Sequence, residues 1–285
     1  MHTRSLQHST QAICGLTLFA SSVAFGGSIF VTGHDPDFHA FLGGNATGAQ
    51  NIIDDGLAFT RNGNTAPILL LESNLSNELL GDHTDSAQGL IASGYTAGAT
   101  AGNHYVMVDA ATFSSLTLAQ LEAYSSIFIP SDHGGTLTGD DLKALDARSA
   151  DIISYLNAGG GLFAAAEDGF HQPPTSGPAP ALFGFLPFLV SSTAFSQAEV
   201  GNTLTPAGTS LGLTNTDING NFSHNIFTST GGMNVVDRDA AGDVLSLDFR
   251  GPIGVTGVPE PNSLVITGVM LGIVGITVQR RKSRP

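Results

Sequence analysis

Ser126-Ile127-Phe128-Ile129, Asp140 to Leu156 (DDLKALDARSADIISYL), Gly159-Gly160-Gly161 and Leu162 to Ala166 (LFAAA) together form the stretch that decides the fold. The two short apolar runs read as strands. Between them Leu142, Leu145, Ile152, Ile153 and Leu156 recur on one side of a helix. Glycines just past its end are the expected stop signal. Strand, helix and strand in this order suit a parallel pair, which needs a crossover of this kind.

The same alternation extends towards the N-terminus. Ser28 to Thr32, Pro67 to Leu71 and His104 to Val108 read as further strands. Ala49 to Thr60, Ser86 to Ser93 and Leu116 to Tyr124 read as helices between them, with Thr117 a cap. The strands are continuous apolar runs, as strands covered on both faces should be. A parallel α/β sheet flanked by helices is therefore expected. Beyond Phe170 come a Pro-rich loop at 172–180, an apolar stretch at 182–190 and a hairpin. Its arms are Met233 to Asp237 and Val244 to Phe249, with the turn near Ala240-Ala241-Gly242. No internal repeat of solenoid period is visible.

The two ends have a different character. His2 and Arg4 precede a short apolar run, Ala12 to Ala20, and Ser22-Val23-Ala24 offers small residues to a signal peptidase. Cleavage is expected after Ala24. At the other end, Val258-Pro259-Glu260-Pro261 is followed by sixteen uncharged residues, Ser263 to Val278, then by Arg280, Arg281, Lys282 and Arg284. As a helix the apolar run reaches about 24 Å, slightly short of a ~30 Å hydrocarbon core. The basic cluster should stay cytoplasmic and leave residues 25–260 outside.

This order of Pro-Glu-Pro box, apolar helix and Arg-rich terminus resembles the PEP-CTERM sorting signal of Gram-negative bacteria. The resemblance implies an inner-membrane intermediate held by the helix, recognition of the box by an exosortase, and delivery to the cell envelope or beyond. The chain then divides into a leader (1–24), a folded domain (25–250), a linker (251–257) and a sorting signal (258–285) with its membrane helix at 263–278.

Charge narrows the partners. Between the ends, five basic residues stand against 23 acidic ones, a net charge of −18. Such a surface repels phosphate backbones, so no nucleic-acid partner is expected. Charged residues make up only 12% of the chain, about half the usual share. The polar surface must therefore rest on Ser, Thr, Asn and Gly, as suits an exported protein, for which envelope polysaccharide is a candidate partner. The single cysteine, Cys14, lies in the leader, so the mature protein would carry no thiol and no disulfide.

The run from Tyr155 to Ala166 and the loop Ser131-Asp132-His133-Gly134-Gly135 resemble the class I glutamine amidotransferase-like superfamily. That resemblance implies a flavodoxin-like fold with a sharp elbow after the strand at 162–166. Members that catalyse carry a cysteine at the elbow; here it falls near Ala166 and Glu167, so thiol chemistry is not expected. In open parallel sheets ligands bind beyond the carboxyl ends of the strands. Those ends supply His34, Asp35, His39, Asp132, His133 and Glu167. Imidazoles beside carboxylates suit a divalent metal, and a metal-bound water would hydrolyse without cysteine. Loops also favour Asp and His for turn and capping reasons. The expectation is therefore a binding or structural module with no cofactor and no catalytic residue, with metal-assisted hydrolysis as the alternative.

Overall fold

Strands made of Ile, Leu, Phe and Val without polar alternation need cover on both faces, and that need organises the chain. The computed structural model describes residues 26–73, 87–132, 137–167 and 173–254. Its first half contains β1 (Gly27–Thr32), α1 (Pro36–His39), α2 (Ala46–Arg61), β2 (Ile68–Leu71), α3 (Ala87–Ala92), β3 (Thr96–Ala97), β4 (His104–Val108), α4 (Ala110–Ser115), α5 (Leu118–Leu121) and β5 (Ser126–Ile129). There follow α6 (Gly139–Ala147), α7 (Ser149–Asn157), β6 (Gly161–Ala164), β7 (Val190–Ala198), β8 (Thr203–Leu204), α8 (Pro206–Leu211), β9 (Phe222–Thr230), β10 (Asn234–Arg238) and β11 (Val244–Gly251).

The fold is mixed α/β, a large sheet flanked by helices. Its order is β3-β4-β2-β5-β6-β1-β11-β10-β8, with β9 also bridged to β11 and β7 paired on β9. From β3 to β1 every neighbour is parallel; from β1 onward every pairing is antiparallel. Successive strand residues point to opposite faces and feed two separate cores. Ile29, Val31, Leu69, Leu71, Ile127 and Ile129 pack with residues of α4 to α7 on one side. Phe30, Leu70, Phe128 and Phe163 pack with Ile52, Ile53 and Leu57 of α2 and Leu90 of α3 on the other. The Phe128 and Phe163 rings stack at 4.8 Å between centroids, and Phe30 tilts onto Phe163 at 5.1 Å.

The expected strands and helices of the parallel half all form, with one correction. The long helix over 140–156 divides at Arg148, whose φ of −110° and ψ of 16° close α6 and open α7. Its guanidinium donates to the Phe113 carbonyl at 2.6 Å and to Asp151 at 2.9 Å. The apolar stretch at 182–190 makes turns that bury Phe183, Phe185 and Leu186 in the first core. The linker starts later than expected, since Gly251 still pairs with Gly27. The hairpin forms between β10 and β11. Its turn is tied by Asp239, whose Oδ1 accepts from the Ala241 and Asp243 amides. No helix among the described residues is long and apolar enough to cross a membrane. The leader, the sorting box and the segment at 263–278 lie outside the described residues.

Candidate functional site

The ends of the parallel strands place the chemistry. After β1 the chain turns through Gly33, whose added Cβ would sit 2.0 Å from the Asn225 carbonyl oxygen, so the backbones touch there. His34 follows, 2% exposed. Its Nδ1 lies 2.5 Å from Oε1 of Glu199, and its Nε2 lies 2.7 Å from Oδ2 of Asp237. Burial alone would lower the imidazole pKa, but the two carboxylates and their hydrogen bonds raise it to about 10. His34 is thus an imidazolium with both nitrogens engaged, joining the last parallel strand to the antiparallel extension.

Pro36 at the start of α1 presents the acids of Asp35-Pro36-Asp37 to the end of β5. Ser131 Oγ donates to Asp35 Oδ1 at 2.5 Å, and the Ser131 amide donates to Asp37 Oδ2 at 3.0 Å. The Asp35 carboxyl is pushed well above the usual range, first by burial and then by Asp37 beside it. Nε2 of His224, on β9, is 3.7 Å from Asp35 Oδ2. At the end of β6, the Glu167 amide donates to Asn225 Oδ1 and its Oε2 accepts from the Phe183 amide at 2.6 Å. Burial pushes this carboxyl up as well. Its Oε1 is buried with no hydrogen-bond partner. Glu72 and Asp132 are buried at the ends of β2 and β5.

The Arg and Lys side chains of the domain are engaged elsewhere among the described residues. Arg61 reaches Ser125 and Gly102, Arg148 Phe113 and Asp151, and Arg250 Ser28 and Phe59. Arg238 reaches the Gly242 carbonyl and Lys143 that of Ser176. Burial favours the protonated form of a carboxyl, which is the direction Asp35 and Glu167 take.

The six residues singled out from sequence are only partly brought together. Asp35, Asp132 and Glu167 share the carboxyl edge of β1, β5 and β6. His34 is turned away into its own ion triad. His39 ends α1, is 8% exposed, and stacks on Phe222 with ring centroids 6.4 Å apart; burial lowers its pKa, so it is neutral. His133 lies outside the described residues. Among the described residues, no three His, Cys, Asp or Glu side chains converge as metal ligands would. Sequence reading missed Ser131, Glu199, His224 and Asp237 as members of this neighbourhood. Ser131 could have been found, because it directly follows the strand; the others come from distant segments with no local signal.

An open groove of about 290 Å³ lies beyond the carboxyl ends of β2, β4 and β5. It is lined by Ser73 after β2, Asp109 after β4, Thr138 and Asp140 at the start of α6, and Pro173 and Thr175. The helix after β2 covers one face of the sheet and the helix after β5 the other, so the groove borders a topological switch point. Its floor is fixed by one relay. The Ala110 amide donates to Ser73 Oγ, and Ser73 donates to Asp141. Asp141 also accepts from the Thr138 amide and hydroxyl in a capping box. At the mouth, Asp109 caps α4 by accepting from Thr112, which lowers its pKa and keeps it a carboxylate. Asp140 accepts from the Thr175 amide. No family model, curated protein or solved structure matches the chain.

Proposed function

We propose that this chain is exported, sorted to the cell envelope by a PEP-CTERM-type signal, and used there as a non-catalytic binding module for neutral, hydroxyl-rich ligands such as envelope polysaccharide. In this reading signal peptidase removes residues 1–24, the helix at 263–278 holds an inner-membrane intermediate, and an exosortase acts at Val258 to Pro261. The domain is a flavodoxin-like unit of amidotransferase-like type. Counted from β2, the strands β4-β2-β5-β6-β1 follow the order 2-1-3-4-5, with the first strand of the chain in the last place.

The observation that carries the binding reading is the groove at the switch point. Its carboxylates and hydroxyls accept and donate hydrogen bonds to sugar hydroxyls, and Ala110, Ala111 and Pro173 leave room for ring faces. At the elbow position Ala165, Ala166 and Glu167 are fully buried, with no cysteine or serine among them. Calorimetric titration with oligosaccharides from the envelope tests this. Binding that falls about tenfold or more on Asp140→Ala, a loss of ~1.4 kcal/mol, is expected. An absence of binding to every envelope saccharide would defeat the reading.

One observation favours a second reading, cation-assisted hydrolysis. Glu167 Oε1, at the end of β6, is buried without a hydrogen-bond partner, and on the adjacent strand the Asp35 carboxyl is buried against that of Asp37, with His224 Nε2 3.7 Å away. Stoichiometric uptake of calcium, manganese or zinc that is lost on Asp35→Asn would support it; an apo protein indifferent to all three would remove it.

A further inference from the structure

We propose that two copies of this chain associate edge to edge through β7, continuing the sheet across a two-fold axis. Sheet edges invite pairing, and proteins blunt them with short strands, Lys, Pro or bulges. The two ends of the main sheet follow that rule, since β3 and β8 are two residues each. β7 does not. It is nine residues long, about 30 Å of strand, and pairs on one side with β9. Its other side meets no strand among the described residues. Val190 to Ala198 (VSSTAFSQA) contains no charge and no proline, and Ser191, Thr193, Ala194, Ser196 and Ala198 are exposed. Leu189, immediately before it, is 90% exposed. Two register shifts, at Ser191/Ser192 and between Ala194 and Gln197, are the only blunting device on the strand.

Charge identifies the occupant. Two domains of net charge −18 repel over most of their surfaces. Residues 169–198 and 218–236, which supply β7 and β9, contain no Asp, Glu, Lys or Arg. This ribbon is therefore a surface on which identical chains meet without like charges facing each other. Antiparallel pairing of β7 with itself is isologous, so each free backbone group finds its counterpart on the other copy. A basic partner would be drawn to the acidic faces instead.

The test uses the full chain. Thr193→Lys with Ser196→Lys places charge on the exposed edge without touching the core. Sedimentation should show a dimer that this double variant weakens about tenfold or more. Ala194 is central in β7 and so lies near the two-fold axis. In a Cys14→Ala background, Ala194→Cys should oxidise to a covalent dimer, and Ser210→Cys on α8 should not. A monomer at all concentrations would overturn the proposal. So would a dimer indifferent to the two lysines, which would mean that another surface, or the C-terminal tail, joins the copies.

Discussion

Nδ1 of His34 lies 2.5 Å from Oε1 of Glu199, a residue 165 positions later in the chain. With Asp237 on the other nitrogen, this contact joins β1 to the antiparallel extension through a buried imidazolium. Removing the cation leaves two buried carboxylates facing each other. His34→Ala should therefore cost about 3–5 kcal/mol in urea unfolding, as breaking a buried ion pair does. A loss below ~1 kcal/mol would show that the triad holds nothing together.

Stability should fall as pH rises. His34 has a folded pKa raised to about 10 from 6.5, so its contribution is complete below pH 6.5 and disappears as pH climbs towards 10. Asp35 and Glu167 have folded values raised above 3.8 and 4.5, and they act in the same direction. Each must ionise in a buried place as pH rises through its folded value. Denaturation midpoints at pH 5, 7 and 9 should descend in that order; a maximum at pH 9 would contradict the assignment of these protons.

Glu167 separates proton from charge. If its carboxyl is neutral, Glu167→Gln keeps an acceptor for the Phe183 amide and should change stability at pH 7 by less than about 1 kcal/mol. The same variant should be more stable than the parent at pH 9. Glu167→Ala should cost ~1–3 kcal/mol at pH 7, because the buried Phe183 amide is left without its acceptor, and should stay less stable than Glu167→Gln at pH 9. Equal losses for Gln and Ala would mean that the carboxyl is ionised.

Gly56 reverses an ordinary rule. Glycine to alanine inside a helix usually stabilises by about 1 kcal/mol. A Cβ at Gly56 would lie 2.4 Å from the Phe163 ring and 2.9 Å from Phe30. Overpacking of this kind costs ~1–3 kcal/mol. Gly56→Ala should destabilise in thermal unfolding, whereas Gly63→Ala, where a Cβ meets nothing but φ is +80°, tests backbone strain alone. A stabilised Gly56→Ala would show that α2 sits further from the sheet than described.

The parallel half was legible because its signals are local. Ile68 to Leu71, His104 to Val108 and Ser126 to Ile129 are apolar runs bounded by polar or glycine-rich turns, and Thr117 announces its own cap. β7 and β9 were not legible. They are rich in Ser, Thr and Asn, and β7 alternates only weakly between half-buried and exposed positions. The placement of β1 beside β6 and β11 was equally hidden, since it depends on pairings more than 120 residues apart. At the site, the acids after each strand could be read directly. Which of them meet, and that His34 turns towards Glu199 and Asp237, depends on tertiary closure. Pattern and propensity do not encode that.

The reading rests on residues 26–254 working outside the cytoplasm after both flanks are processed. Intact mass of the protein taken from its own host tests this most directly. The predicted species begins within a few residues of Phe25 and ends near Val258 to Pro261. An unprocessed 285-residue chain of 29.2 kDa in the cytosol would contradict it and return Cys14 to the working protein.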